Sequence, residues 1–249
     1  MKSIREIYKI GKGPSSSHTM GPERAAKHFK SEYPQADRFK VILYGSLSKT
    51  GVGHGTDRVI QEVLSPLPVE IVFSKETLEN SHPNTMDLFA YTGDNLIGQL
   101  RIESIGGGEV RVPGEKTLEG PEVYPENSFA EIADFCKWRY IHKLSDYVEL
   151  NEGEEIWEFL AEVWRAMKQS IADGLAADGK LPGGLNVQRK AKFLYESNTR
   201  QYAPAMEEFR LIAAYAYAVA EQNADNGTVV TAPTCGACGV LPAVLKYAQ

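Results

Sequence analysis

Residues 116–127, KTLEGPEVYPEN, separate two parts of the chain that differ in sequence pattern. The prolines, glycine and acidic residues of this segment favour an irregular connection over a helix or a strand. Strand-like and helix-like runs alternate before it, whereas the long runs after it have helical spacing. The sequence therefore predicts an α+β domain over residues 1–120, followed by the N-terminal part of an all-α domain over residues 121–249.

The first part is predicted to mix short helices with strands. A capping-box pattern at Ser3 and Glu6 opens one helix, and Pro22 lies in the first turn of a second. The predicted helices cover residues 4–10, 22–32 and 56–64. The predicted strands cover residues 39–44, 69–73, 87–91, 96–103 and 110–112, and a Thr-Gly-Asp-Asn hairpin signal follows the third of them.

The second part is predicted to be helical. Ser128 and Glu131 form another capping box. The predicted helices cover residues 129–139, 152–170, 188–197 and 205–222. The run Ala213–Ala220 is apolar on nearly every side and indicates a buried helix. Val240–Gln249 has the pattern of the opening turns of a helix without a stop signal, so we expect the all-α part to be incomplete.

Composition excludes several classes of protein. The net charge of −6 is spread along the chain without a basic stripe, so nucleic acid is not an expected partner. No apolar run reaches the length of a membrane span and no signal peptide is evident, which predicts a cytoplasmic protein without a membrane partner. Three cysteines are too few for a disulfide framework.

A polar loop, Gly11–Pro22 (GKGPSSSHTMGP), precedes the second predicted helix. Its hydroxyl groups and the exposed N–H groups of a helix N-terminus suit a carboxylate or a phosphate. The same composition is also typical of a plain helix-entry loop, so spacing alone leaves both interpretations open.

A second loop, Gly45–Asp57 (GSLSKTGVGHGTD), lies between a predicted strand and a predicted helix. The spacing of Gly51, Gly53 and Gly55 departs from G-x-G-x-x-G, which argues against a dinucleotide site. His54 lies between two glycines, so we expect its ring to be unpacked. Such a residue suits a general base on a mobile loop, or is merely exposed.

Two further stretches are short and glycine-rich. Ser104–Gly108 (SIGGG) is interpreted as a turn between strands. Cys235 and Cys238 have the C-x-x-C spacing of a redox pair or half a metal site, but no partner pair lies nearby. Spacing alone favours thiols packed as small apolar groups.

Taken together and in order, these motifs resemble the iron–sulfur L-serine dehydratases, which convert L-serine to pyruvate and ammonia. The resemblance extends over the whole chain and is carried by GPSSSHTMGP (13–22), YGSL (44–47), GHGTD (53–57), SIGGG (104–108), LPGG (181–184) and VVTAPT (229–234). It implies a lyase of amino-acid catabolism that feeds gluconeogenesis. It also implies an α+β domain joined to an all-α catalytic domain and a [4Fe–4S] cluster, without pyridoxal phosphate.

The resemblance implies roles for individual residues. His54 would be the catalytic base. The substrate L-serine would be bound by Ser15, Ser16, Ser17, His18, Thr19, Thr231 and Thr234. The cluster would act as a Lewis acid on the substrate hydroxyl and carboxylate.

The chain departs from the family in two ways. The family usually has Asn at the position of Cys235, and its cluster-binding cysteines are expected beyond Gln249. Cys235 and Cys238 are the remaining candidates as cluster ligands, but the three cysteines here do not rebuild such a site. We therefore expect a chain truncated before the cluster-binding cysteines, working as a homo-oligomer or with a separate C-terminal chain. The alternative is a catalytically incomplete serine-binding or regulatory fragment.

Overall fold

The structure, a computed structural model, describes residues 1–114, 120, 122–197 and 204–249. The strands within these residues are β1 (Ile10–Lys12), β2 (Arg38–Leu43), β3 (Val69–Phe73), β4 (Thr85–Thr92), β5 (Asn95–Gly106), β6 (Glu109–Arg111) and β7 (Thr228–Val230). The helices are α1 (Gly21–Glu32), α2 (Gly45–Thr50), α3 (Thr56–Leu64), α4 (Phe129–Trp138), α5 (Leu144–Glu152), α6 (Ile156–Ala176), α7 (Ala191–Glu196), α8 (Pro204–Ala224) and α9 (Val240–Ala248). This mixture of helices with two sheets is consistent with an α+β domain in the first part.

A five-stranded sheet, in the order β3–β2–β4–β5–β6, forms the body of the first part. Only the β2–β3 pair is parallel. Alternate residues of β2, namely Phe39, Val41 and Leu43, are buried, as expected for a strand with one covered face. Helices α1 and α3 pack on the sheet and contribute Phe29 and Ile60 to the same hydrophobic core.

The helix predicted over residues 4–10 is wrong. Only Ile4–Glu6 forms a short 3-10 turn, capped by Ser3 as predicted, and Ile10–Lys12 is the strand β1. Strand β1 pairs antiparallel with β7, with Ile10 opposite Val230. Backbone pairing to a distant segment thus overrides the local helical pattern, which is a weak determinant of structure.

The first residues of the chain pack against the second part. The amino group of Met1 donates to the carbonyl oxygen of Tyr124 at 2.5 Å. Glu152 accepts hydrogen bonds from the hydroxyl of Ser3 at 2.7 Å and from the N–H of Ile4 at 2.8 Å. The predicted connection near residues 115–127 falls partly on residues 115–119 and 121, which lie outside the described residues.

Helices make up most of the regular secondary structure that the structure describes in the second part, which also contains β7. Helices α6 and α8 approach closely at Gly174, where an added Cβ atom would lie 2.2 Å from the carbonyl oxygen of Ala218. Ala214 and Ala218 of α8 are buried, whereas Tyr217 is 42% exposed, so the helix is buried on one side rather than on nearly every side. Within the described residues, no helix is both long and apolar enough to span a bilayer.

Candidate active site

The two polar loops meet at a pair of histidines. The ring centroids of His18 and His54 lie 4.7 Å apart, and the ring planes are tilted by 35°. His18 belongs to the Ser15–Thr19 stretch ahead of α1, and His54 ends a 3-10 turn between α2 and α3. The sequence therefore placed both residues in candidate sites, and the fold brings these sites together.

Ser15, Ser16 and Ser17, here called the serine cluster, lie at the start of a π-helical turn, Ser16–Met20, that continues directly into α1. Ser15 caps this turn, because its hydroxyl accepts the N–H of His18 at 3.1 Å. Isolated π-turns of this kind occur frequently at functional sites. Ser15, Ser16 and Ser17 are half-buried, so all three remain partly accessible from solvent.

Serine hydroxyls hold the ring of His18 at both nitrogens. Nδ1 lies 3.0 Å from the hydroxyl of Ser17, and Nε2 lies 2.9 Å from the hydroxyl of Ser46. Burial lowers the pKa of His18, and the neighbouring His54 lowers it further. The imidazole of His18 is therefore neutral at neutral pH.

The ring of His54 is oriented by a backbone carbonyl. Its Nδ1 lies 2.9 Å from the carbonyl oxygen of Thr50. A carbonyl can only accept, so Nδ1 carries the proton and Nε2 of the neutral ring has a free lone pair. This is the tautomer that a general base requires. The ring is not unpacked as predicted, because His18 lies against it.

Two threonines join the loops through their backbones. Thr19 donates its hydroxyl to the carbonyl oxygen of His54 at 2.9 Å, and Thr56 donates to that of His18 at 2.5 Å. Both threonines are buried. Their hydroxyl groups therefore fix the distance between the two loops.

Among the described residues, neither Thr231 nor Thr234 is hydrogen-bonded to His18 or His54. Thr231 is fully buried, and its hydroxyl accepts the N–H of Lys9 at 2.9 Å and donates to the carbonyl oxygen of Ile7 at 2.8 Å. Thr234 is exposed. Thr231 thus secures the N-terminal segment, whereas Thr234 has an accessible hydroxyl.

The cysteine pair lies in a hydrophobic cluster with Met20, next to the candidate site. Sγ of Cys235 lies 3.9 Å from Sδ of Met20, the last residue of the π-turn. Cys235 and Cys238 are each 2% exposed, and burial raises their pKa values to about 12 and about 11. They pack as small apolar groups, and no cluster of three or more His, Cys, Asp or Glu side chains able to hold a metal occurs among the described residues.

The SIGGG stretch forms the predicted turn. It joins β5 to β6, and Gly107 and Gly108 both have positive φ values, 59° and 78°. Ser104 is fully buried at the end of β5. Its hydroxyl is so close to α1 that a Cβ atom on Gly21 would lie 2.0 Å away, which requires glycine at the start of that helix.

Three site residues, Ser46, Thr50 and Thr56, were not singled out from the sequence. Ser46 lies in the YGSL motif and Thr56 in GHGTD, so the motifs contained a signal, but no spacing rule connected either residue to a histidine. Only the tertiary contact between the loops reveals their roles.

The sequence is similar to known proteins over nearly its whole length. The family model of the serine dehydratase beta chain matches residues 3–67, the segment that contains both histidines. L-serine dehydratase 1 and L-serine dehydratase 2 of Escherichia coli strain K12 are 35% and 33% identical over 300 aligned positions, covering 99% of this chain and 66% of each relative. L-serine dehydratase of Streptomyces coelicolor is 32% identical over 297 positions, covering 98% of this chain and 65% of that protein.

The chain thus spans about two thirds of the length of these curated relatives. The aligned 300 positions also exceed the 249 residues of the chain, so the relatives contain residues that this chain lacks within the matched region. Similarity over nearly the whole chain shows that the chain belongs to the family of iron–sulfur-type L-serine dehydratases.

Proposed function

We propose that this chain supplies the substrate-binding and proton-abstracting part of an L-serine ammonia-lyase. The observation that supports the proposal most directly is the pairing of His18 with His54 beside the serine cluster. In β-elimination, L-serine loses its α-proton to a base and its β-hydroxyl group from the neighbouring carbon, a net loss of one water. The resulting aminoacrylate tautomerises and is hydrolysed to pyruvate and ammonia.

His54 is the proposed base. Its free Nε2 takes the α-proton, while the hydrogen bond from Nδ1 to Thr50 stabilises the tautomer that can do so. The weak acidity of the α-proton makes this step demanding, and a well-positioned base typically contributes about 10²–10⁴-fold to the rate.

The proposed carboxylate-binding groups are the partly accessible hydroxyls of Ser15, Ser16 and Ser17, with Thr234 as a further hydroxyl from the second part of the chain. Thr19 and Thr231 are assigned to the framework instead, because both are buried and their hydroxyls are engaged by backbone groups. His18 also acts from the framework, because both of its ring nitrogens are bonded to serines.

The described residues do not fit a [4Fe–4S] cluster. Cluster ligands are thiolates, whereas the two neighbouring thiols are buried, have strongly raised pKa values and have no third metal ligand near them in the described ranges. We propose that the family's cluster is bound in the complete enzyme by residues outside those described here, in the same polypeptide or in a second chain.

Several helices of the second part expose apolar side chains to which a second domain or chain can bind. The helices of the second part expose large apolar side chains that a closed helical core would cover: Phe193, Met206, Phe209, Val240, Val244 and Leu245. Large apolar side chains left exposed in this way support an interface with a further domain or chain. We propose that the additional third of the relatives' length has its counterpart in a domain or subunit that packs here.

The test uses the full chain under anaerobic iron–sulfur reconstitution, alone and together with a polypeptide that carries the remaining third of a relative. Pyruvate formed from L-serine by the pair, and lost in His54→Gln, supports the proposed lyase. Calorimetry measures L-serine binding by the chain in parallel. Binding without pyruvate in either sample favours the alternative of a regulatory serine-binding fragment, whereas turnover that survives His54→Gln contradicts the assigned base.

A further inference from the structure

The short helix α2 is hydrogen-bonded to both imidazole rings. Ser46, in its first turn, places its hydroxyl 2.9 Å from Nε2 of His18. Thr50, its last residue, places its carbonyl oxygen 2.9 Å from Nδ1 of His54. The hydroxyl of Thr50 in turn donates to the carbonyl oxygen of Ser46 at 2.9 Å. One helical element therefore connects the two rings.

The backbone fixes the position of Ser46. Gly45 has a φ of 52°, and a Cβ atom there would lie 2.5 Å from the carbonyl oxygen of Pro83. The N–H of Ser46 donates to that same carbonyl oxygen at 2.7 Å. Only glycine at position 45 permits this close approach, which aims the Ser46 side chain at His18.

Capping does not account for the Ser46 hydroxyl. The N-cap residue of α2 is Tyr44, and no side chain there accepts a backbone N–H of the helix. Ser48, on the same helix, shows what a purely structural serine does, since its hydroxyl donates to the carbonyl oxygen of Ser74 at 2.6 Å. The hydroxyl of Ser46 is instead hydrogen-bonded to an imidazole nitrogen, Nε2 of His18.

The orientation of His18 determines how its ring meets His54. A hydrogen bond at each ring nitrogen, from Ser17 on one side and Ser46 on the other, restricts rotation of the ring. Removal of Ser46 frees one of these nitrogens, so the 4.7 Å contact with His54 is no longer held on that side.

We infer that Ser46 is a positioning residue for the histidine pair. Through His18 it holds the face against which His54 packs, while Thr50 of the same helix holds Nδ1 of His54. The inference rests on the proposed function in one respect, because it takes His54 as the base. The geometry of the two rings is independent of that assignment.

The experiment measures the rings directly. Full-length chain labelled with ¹⁵N at histidine is studied by long-range ¹H–¹⁵N NMR as wild type, Ser46→Ala and Ser46→Thr, with Ser48→Ala as the matched control on the same helix. We expect Ser46→Ala to shift the Nε2 resonance of His18, to move its titration and to perturb the ring signals of His54. Ser46→Thr restores the wild-type signals and Ser48→Ala leaves them in place.

Kinetics in the active assembly give the second measurement. We expect kcat of Ser46→Ala to fall on the order of tenfold with little change in KM, a part of what a positioned base contributes. Unchanged histidine signals in a folded Ser46→Ala protein overturn the inference, as does an equal perturbation by Ser48→Ala. If His54 is not the base, the His54→Gln variant retains turnover, while the NMR shifts caused by Ser46→Ala are still observed.

Discussion

The hydroxyl of Thr19 donates a hydrogen bond to the backbone carbonyl of His54 across the boundary between two loops. Thr56 makes the reciprocal bond to the carbonyl of His18. Each histidine is thus held by a threonine from the segment of the other. This arrangement keeps the two rings together without using either ring nitrogen.

Thr19→Val is expected to lower the free energy of unfolding by about 1 kcal/mol, the usual net contribution of one intramolecular hydrogen bond. Thr19 is 1% exposed, so water cannot readily replace the hydroxyl. Urea denaturation followed by circular dichroism measures the effect. Thr19→Ser keeps the donor and serves as the control, and equal stability of the two variants would contradict the role of this bond.

His54→Gln is expected to reduce turnover in the active assembly by about 10²–10⁴-fold, because the amide cannot accept the α-proton. L-serine binding should persist, since the serine cluster remains. Calorimetry and a pyruvate assay separate the two effects. His142→Gln is the matched control, because that histidine is exposed and remote in sequence from both loops.

Acidification is expected to destabilise the protein through His18. Its pKa in the folded state lies below the ordinary value of 6.5, so the unfolded chain binds this proton at a higher pH than the folded chain does. The contribution of His18 to the free energy of unfolding is therefore unaffected well above about pH 6.5, falls as the pH drops below that value, and levels off below the folded pKa.

The difference in unfolding free energy between wild type and His18→Gln, measured in urea at several pH values, isolates this effect. The stability of the wild type should decline relative to that of the variant on acidification. A difference that stays constant through the same range would show that His18 does not carry the pH dependence.

Cys235 and Cys238 are expected to react slowly with iodoacetamide in the folded protein at neutral pH. Burial raises their pKa values to about 12 and about 11, so the thiolate is scarce as well as shielded. Site-resolved mass spectrometry with and without urea measures the rates. Rapid labelling of the folded chain, or retention of iron by the chain alone, would contradict their assignment as packing groups.

Gly13→Ala is expected to cost about 1–3 kcal/mol through overpacking. The added Cβ atom would lie 2.2 Å from the carbonyl oxygen of Asn223, just where β1 leads into the serine cluster. Gly53→Ala is the control, because nothing lies within 4 Å of its Cβ position and its φ is not in the left-handed region. Thermal denaturation compares the two, and equal midpoints would contradict the close approach.

The sequence predicted most of the central sheet because its strands carry their own signals. The run of β-forming residues in β2, the hairpin signal between β4 and β5 and the helical spacing in α3 are local, and the three elements form close to where they were predicted. Strands β1 and β7 were missed because each has three residues and exists only by pairing with the other. Helix α2 was also missed, since GSLSKT has the composition of a loop and is fixed by contacts with Pro83 and the histidines.

The candidate site was predictable as a set of residues but not as an arrangement. Residue types and motifs singled out His18 and His54, yet nothing in their spacing indicated that their rings would touch. The same limit explains Thr231, whose hydroxyl looked available in the sequence and is engaged by Ile7 and Lys9 in the fold.

The pairing of β1 with β7 has a consequence for folding kinetics. Strand β1 lies near the start of the chain, whereas its partner β7 lies more than two hundred residues later. The contact between them therefore has a very long sequence separation. Closing such a loop costs chain entropy before any contact compensates it. The serine cluster directly follows β1, so its anchorage through β1 should be among the last contacts to form during synthesis. A nascent chain that has not yet exposed β7 from the ribosome would then contain both histidines but hold them less firmly.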